Sequence, residues 1–246
     1  MASILYLNET DSTNQYLINL LELKKLDEGT AVVSFTQTKG RGQRGNKWQS
    51  EPGKNICYSI VIHPEFIPAR NQFIISQVIA LAVKSFLDDY TKNISIKWPN
   101  DIYCNNKKIA GILIENQLNG SLISNSVIGI GININQENFA PELPNPTSLF
   151  QITGKEFDLE ELSNKLHNKI VLSLEELSRE TEDDIQRFYV NNLYRRDGFH
   201  AYRDEKGDFS AKIRGVNAQG NLILEHEDGT VKSYAFKEVA YINNGR

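Results

Sequence analysis

Apolar positions along the 246-residue chain change period several times, and each change predicts an element. Tyr16, Leu17, Leu20 and Leu21 recur at helical spacing behind the polar run Thr10-Asp11-Ser12. This predicts a capped helix to about Leu26, ended by Gly29. The β-branched stretch TAVVSFTQT (30–38) predicts a strand, and NICYSIVIH (55–63) another, stopped by Pro64. Phe73, Ile74, Val78, Ala82 and Phe86 predict a helix within 70–90. ISIKW (94–98) reads as a strand broken by Pro99, and IYCNNKKIAGILIEN (102–116) as two strands about an Asn105-Asn106 turn. SVIGIGININ (126–135) is a further strand, and the proline-bearing ENFAPELPNPTSL is a loop.

Two helices follow, over about 158–179 and 181–194, the second with the acidic opening TEDD. From Arg195 onward short strands alternate with turns at Gly207, Gly220 and Asp228-Gly229, the pattern of a small β-barrel. The expected organisation is a main domain over 1–194 and a small β domain over 195–246. No internal repeat interrupts it.

Composition narrows the function classes. Hydrophobic residues make up 40% and charged residues 24%, enough for a globular core. No run of about 18 apolar residues predicts a membrane span, and MASILYLNETDSTN has no basic leader of a secretory signal. Cys57 and Cys104 lie in apolar strand-like runs without a CxxC or histidine neighbour, which points to buried free thiols in a reducing cytoplasm. The formal charge is −4, so a general nucleic-acid surface is not expected. Any anion is held locally.

The local exception is TKGRGQRGNKW (38–48), where four cations and three glycines fall in eleven positions with no acid between Glu28 and Glu51. Gly40, Gly42 and Gly45 can take positive φ and turn successive backbone N–H groups onto one anion. Arg41, Arg44 and Lys47 add charge. A solvated surface loop is the alternative. The loop is neither a Walker loop nor a dinucleotide fingerprint, because the required GK[ST] and following helix are absent. KWPND (97–101) ends a strand in a polar turn, and KKIAGILIE (107–115) carries two lysines and an internal Gly111, a sign of close approach.

Five stretches, TDSTNQYL (10–17), TKGRGQRGNKW (38–48), KWPNDIY (97–103), KIAGILIE (108–115) and IGIGININ (128–135), together resemble the biotin protein ligase family in order and spacing. The resemblance spans about 130 residues, and the β-rich tail is similar to the family's SH3-like C-terminal domain. It implies an α+β fold: a mixed, mostly antiparallel sheet flanked by helices, of the class II synthetase-like type, plus the small barrel. It implies a ligase that joins biotin to the α-phosphate of Mg-ATP and passes the biotinyl group to a lysine of a biotin carboxyl carrier protein domain. A lipoate or octanoate ligase on the same fold, or a non-catalytic biotin-binding regulator, are the alternatives. Few residues precede Asp11, so the DNA-binding unit of repressor-type relatives is not expected. Relatives dimerise through the sheet, which leaves a homodimer open.

By resemblance, Ser12, Thr13, Asn14, Gln37, Arg41, Gly42, Gln43, Lys108 and Gly111 border biotin. Lys108 and Arg41 act in catalysis. Arg44, Asn46, Lys47, Trp48, Asn100 and Asn133 contact ATP, with Trp48 beside the adenine. Asp101 is the candidate for Mg²⁺, and Trp98 reads as a core aromatic. Many relatives have Arg at the position of Gln43 and a cation at Asn46, which shifts the demand for charge onto Arg41 and Arg44.

Overall fold

The computed structural model describes residues 3–177 and 181–242, apart from the side chain of Arg44. A seven-stranded sheet comprises β1 (Ile4–Leu7), β2 (Ala31–Ser34), β3 (Ile56–Ile62), β4 (Ile94–Lys97), β5 (Asp101–Cys104), β6 (Lys107–Asn119) and β7 (Leu122–Ile132). The strand order is β1-β2-β3-β7-β6-β5-β4, with only β1 and β2 parallel. The mixed, mostly antiparallel sheet is as expected. Strand β1 was not foreseen, because four apolar residues before a polar run carry no period of their own. The β6–β7 hairpin also runs further than expected, turning at Gly120 with φ +63°. The Asn105-Asn106 turn has Asn105 at φ +52°, the left-handed geometry its side chain tolerates.

Alternation in the strands assigns the two faces of this sheet. Tyr58, Ile60, Ile112, Ile128, Ile130 and Ile132 point to one buried face, packed under α2 (Phe73–Asp88) and α4 (Leu159–Leu177), with α5 (Glu182–Asn191) against α2. The short α3 (Leu149–Thr153), capped by Ser148, starts at the last residue of the segment expected to be loop and runs into a stretch for which no element was predicted. On the opposite face α1 (Thr13–Leu23) lays Leu17 against Val32, Val61 and Val127. It ends sooner than predicted, at the extended Lys24. Beyond those valines the same face carries Ser59, Gly129 and Gly131, too small to fill the space. There a cavity opens.

The tail expected as a barrel forms a five-stranded antiparallel sheet of β8 (His200–Asp204), β9 (Gly207–Val216), β10 (Leu222–His226), β11 (Val231–Tyr234) and β12 (Ala240–Tyr241), in the order β11-β10-β9-β8-β12. It packs into the main core: Tyr202, Ile213 and Leu222 are in the same buried cluster as α2. Trp98 is buried as expected, and its Nε1 donates to Gly220 O at 2.8 Å, tying the KWPND turn to the tail. Both cysteines are free and buried, and burial pushes the Cys57 thiol up to about 12.

On α4, His167 lies with Nδ1 2.8 Å from Tyr58 Oη, and burial lowers its pKa from 6.5. A base with a depressed folded pKa binds fewer protons folded than unfolded, so stability rises with pH. Its contribution is complete above pH 6.5 and is lost as pH falls through that value towards the folded pKa. Melting temperatures at mildly acidic and neutral pH should diverge more for the wild type than for His167→Gln. Equal divergence would exclude this residue as the source.

Candidate active site

Cross-strand register lays out the cavity floor. Ser59, Gly129 and Leu113 are lateral neighbours in one row. Two residues along, Cys57, Gly131, Gly111, Asp101 and Lys97 form the next. The residues around these rows enclose a cavity of about 490 Å³, within the range of small-molecule sites.

The glycines make room for particular side chains. A Cβ on Gly129 would lie 2.2 Å from Asn14 Oδ1, and one on Gly131 would lie 2.3 Å from Trp48 Cε2. A Cβ on Gly111 would meet Trp48 at 3.2 Å and Lys108 Nζ at 3.3 Å. Asn14 therefore rests on the first row, and the Trp48 indole on the second. The buried Trp48 Nε1 faces the Cys57 thiol and partly offsets the effect of burial on it.

The first row has a polar end. Thr38 N donates to Thr10 O at 3.0 Å and Lys39 N to Asp11 O at 2.9 Å, which sets the start of α1 beside the segment after β2. Ser12 caps α1, and Gln37 Oε1 accepts from Thr13 N at 2.8 Å and Thr13 Oγ1 at 3.1 Å. The buried Ser59 hydroxyl stands 2.7 Å from Thr13 Oγ1 and 2.6 Å from Asn14 Oδ1, and its single proton serves one at a time. Asn14 Nδ2 donates to Leu113 O at 3.2 Å and to Glu115 Oε2 at 2.9 Å. Arg41 pairs with that same carboxylate oxygen at 2.6 Å. Glu115 thus couples the helix to the basic loop.

The basic loop closes as a hairpin. Arg41 pairs with Lys47 in an antiparallel bridge, Gly42 N donates to Asn46 O at 2.7 Å, and Trp48 N to Gly40 O at 3.0 Å. These bonds turn the Gly42 and Trp48 amides onto the loop itself. Of its three glycines only Gly45 has positive φ, +85°. Gly40 is required by close approach instead, since a Cβ there would lie 2.3 Å from Trp48 O.

At the second row Lys108 Nζ pairs with Asp101 at 2.6 Å and stands 5.8 Å from the Trp48 ring centroid. Asp101 is the one carboxylate among the residues lining the cavity. Among the described residues no group of three His, Cys, Asp or Glu side chains could cage a metal.

The cavity brings together Ser12, Thr13, Asn14, Gln37, Arg41, Gly42, Gln43, Asn46, Lys47, Trp48, Asn100, Asp101, Lys108 and Gly111. Asn100 is held there by Nδ2 donating to Ile112 O at 2.8 Å. Asn133 is buried and is not among the residues lining the cavity; its Nδ2 donates to Thr147 O at 2.9 Å. There it fixes the loop that anchors the Lys108 backbone, to which Thr147 N donates at 2.8 Å. The Arg44 side chain lies outside the described residues.

Ser59, Glu115, Gly129, Gly131 and Lys97 were not predicted as site residues. For Ser59, Gly129 and Gly131 the signal was the break in β-branched alternation along β3 and β7, where Ser and Gly replace Val. The C-terminal sheet also contributes, through Phe236, Lys237, Val239, Ala240 and Tyr241.

Comparison with known proteins places residues 6–133 within the model of the Biotin/lipoate A/B protein ligase family. Over 243 residues the chain is 31% identical to the bifunctional ligase/repressor BirA of Bacillus spizizenii, covering 96% of this chain and 73% of that protein. It is 33% identical over 167 residues to the biotin–[acetyl-CoA-carboxylase] ligase of Paracoccus denitrificans, covering 65% of this chain and 68% of that one. Among solved structures, the biotin protein ligase from Aquifex aeolicus in complex with biotin and ATP matches with a TM-score of 0.79. It is 28% identical and covers 98% of both chains.

Proposed function

We infer, since this chain belongs to the Biotin/lipoate A/B protein ligase family, that it is an ATP-dependent biotin protein ligase. The observation that carries the reading is one cavity holding both Thr13, Asn14 and Gln37, backed by the buried Ser59 hydroxyl, and Lys108 beside Trp48. The first suits a neutral ring of hydrogen-bonding groups such as the biotin ureido. The second suits a carboxylate meeting a phosphate.

In the first step a biotin carboxylate oxygen attacks the α-phosphorus of ATP, and the bond to the β-phosphate oxygen breaks. Biotinyl-5′-AMP forms and pyrophosphate leaves. In the second, a carrier lysine amine attacks the acyl carbon of the mixed anhydride. An amide forms, the acyl–phosphate bond breaks, AMP departs and the amine gives up a proton. Both steps gather negative charge on oxygens, so fixed cations stabilise their transition states. Lys108, with its backbone anchored and its ammonium steered by Asp101, is the cation for the first step.

Asp101, the carboxylate among the residues lining the cavity, would hold Mg²⁺, with nucleotide phosphates and water supplying the other ligands. There the ion would offset phosphate charge. Residues 1–194 form the catalytic domain and 195–246 a domain closing the far end of the cavity. The biotin carboxyl carrier domain is the acceptor. No helix among the described residues is long and apolar enough to cross a membrane, and the use of ATP and buried thiols favours the cytoplasm.

Incubation with ATP, Mg²⁺, labelled biotin or labelled lipoate, and a carrier domain tests the assignment. Biotin alone should label the carrier. Lipoate labelling at a comparable rate would overturn it.

Arg41 should act on the intermediate more than on the fold. Its pair with Glu115 is partly exposed, so its loss should cost stability no more than about 1 kcal/mol. Arg41→Ala should nevertheless release biotinyl-adenylate about tenfold faster, the scale of one charged hydrogen bond. Retention equal to wild type, followed by filter binding of labelled adenylate, would remove Arg41 from this role.

A further inference from the structure

Lys97, the lysine of the KWPND turn, ends the second row on the cavity floor. Among the described residues no carboxylate forms an ion pair with it. Asp101, its Cα partner across β4–β5, turns its carboxylate to Lys108. Lys97 Nζ instead donates to Tyr103 Oη at 3.1 Å and lies 5.0 Å from the Tyr103 ring centroid and 5.2 Å from that of Tyr241. Burial holds its pKa below the ordinary lysine value, partly offset by Asp101. Two ring faces soften the cost of a desolvated cation, but an arriving anion satisfies it better.

The position says which anion. Lys108 Nζ stands over Gly111, and Lys97 lies two strands away, about 10 Å between backbones, with Asp101 between them. The biotin cluster lies on the other side of Lys108. In-line displacement sends the leaving group away from the attacking oxygen. A diphosphate leaving the α-phosphorus at Lys108 therefore heads over Asp101 to Lys97.

We propose that Lys97, clamped between Tyr103 and the C-terminal sheet's Tyr241, binds the β- and γ-phosphates of the nucleotide and receives the departing pyrophosphate. This rests on the ligase reading above. It makes Lys97 a residue of the first half-reaction only, and it gives the tail sheet a part in nucleotide binding through Tyr241.

The test uses the full chain as wild type, Lys97→Met and Lys97→Arg. Three quantities are measured: calorimetric binding of magnesium pyrophosphate, single-turnover adenylation, and transfer from synthetic biotinyl-5′-AMP to a carrier domain. Lys97→Met should weaken pyrophosphate binding and lower kcat/KM for ATP about 10- to 100-fold, as for a lost charged hydrogen bond. Transfer from the preformed adenylate should stay within about twofold of wild type, since that step holds no diphosphate. Lys97→Arg should recover most of the binding. Wild-type pyrophosphate affinity in Lys97→Met overturns the proposal. So does equal slowing of both half-reactions, which marks a packing role, or slowing of transfer alone, which marks acceptor contact. If wild type forms no biotinyl-adenylate yet loses pyrophosphate binding on Lys97→Met, the ligase reading fails and the phosphate site stands.

Discussion

Replacing Lys108 with alanine should slow single-turnover formation of biotinyl-5′-AMP by about 10²- to 10³-fold, or roughly 2–4 kcal/mol of transition-state stabilisation. The magnitude follows from preorganisation. Lys108 N donates to Asn145 O at 2.8 Å and its carbonyl accepts from Thr147 N at 2.8 Å, so the start of β6 is fixed before substrate arrives. Asp101, 2.6 Å from Nζ, and the Trp48 ring then define where the ammonium stands. A cation held in this way needs little reorganisation as charge develops.

Removing it also leaves the Asp101 carboxylate unpaired beside incoming phosphates, a repulsive effect that could mimic lost catalysis. Comparing the double variant Lys108→Ala/Asp101→Asn with Asp101→Asn alone separates the two, because both lack the carboxylate. If Lys108 stabilises the transition state directly, the double variant should be slower than Asp101→Asn by about the same factor. Equal rates in those two variants would assign the loss to Asp101. An undiminished rate in Lys108→Ala itself would end its catalytic assignment.

The helices and strands with strong period were legible in the sequence, and so was the site as a set of motifs. Thr13, Gln37, Trp48 and Lys108 are far apart in the chain, yet all line the cavity. Their roles were less legible than their presence. The glycines of the basic loop suggested an anion nest because composition shows what a backbone can do, not where its N–H groups go. In the structure Gly42 N serves Asn46 O, and Gly40 is there for the close passage of Trp48 O. Asn133 was predicted near the nucleotide from its motif, and the motif gave no sign of its neighbour. Its side chain reaches the Thr147 carbonyl, a loop contact that no period encodes. Glu115 lay in a motif but read as the end of an apolar strand. Only the fold shows it bonded to Asn14 and Arg41 at once.

The glycines of β7 should divide the two substrates. Gly129→Ala puts a methyl group 2.2 Å from Asn14 Oδ1, and Asn14 is buried and held by Leu113, Glu115 and Ser59. It cannot step aside without breaking that set. Gly131→Ala, two residues on, puts its methyl 2.3 Å from the Trp48 ring, which must lift off the floor. Overpacking of this kind costs about 1–3 kcal/mol, so each variant should lose roughly 5- to 150-fold in the affinity its neighbour serves. For Gly129→Ala the loss should appear in calorimetric biotin binding without nucleotide. For Gly131→Ala biotin binding should stay near wild type while the KM for ATP rises. Trp48→Ala added to Gly131→Ala relieves the clash but supplies no ring, so the melting temperature should recover and the ATP defect should persist. An ATP defect from Gly129→Ala with intact biotin binding, or the converse from Gly131→Ala, would reverse the two ends of the cavity. That reversal would also displace Lys108 from the junction between them, since its position over Gly111 is meaningful only if biotin approaches from the Asn14 side.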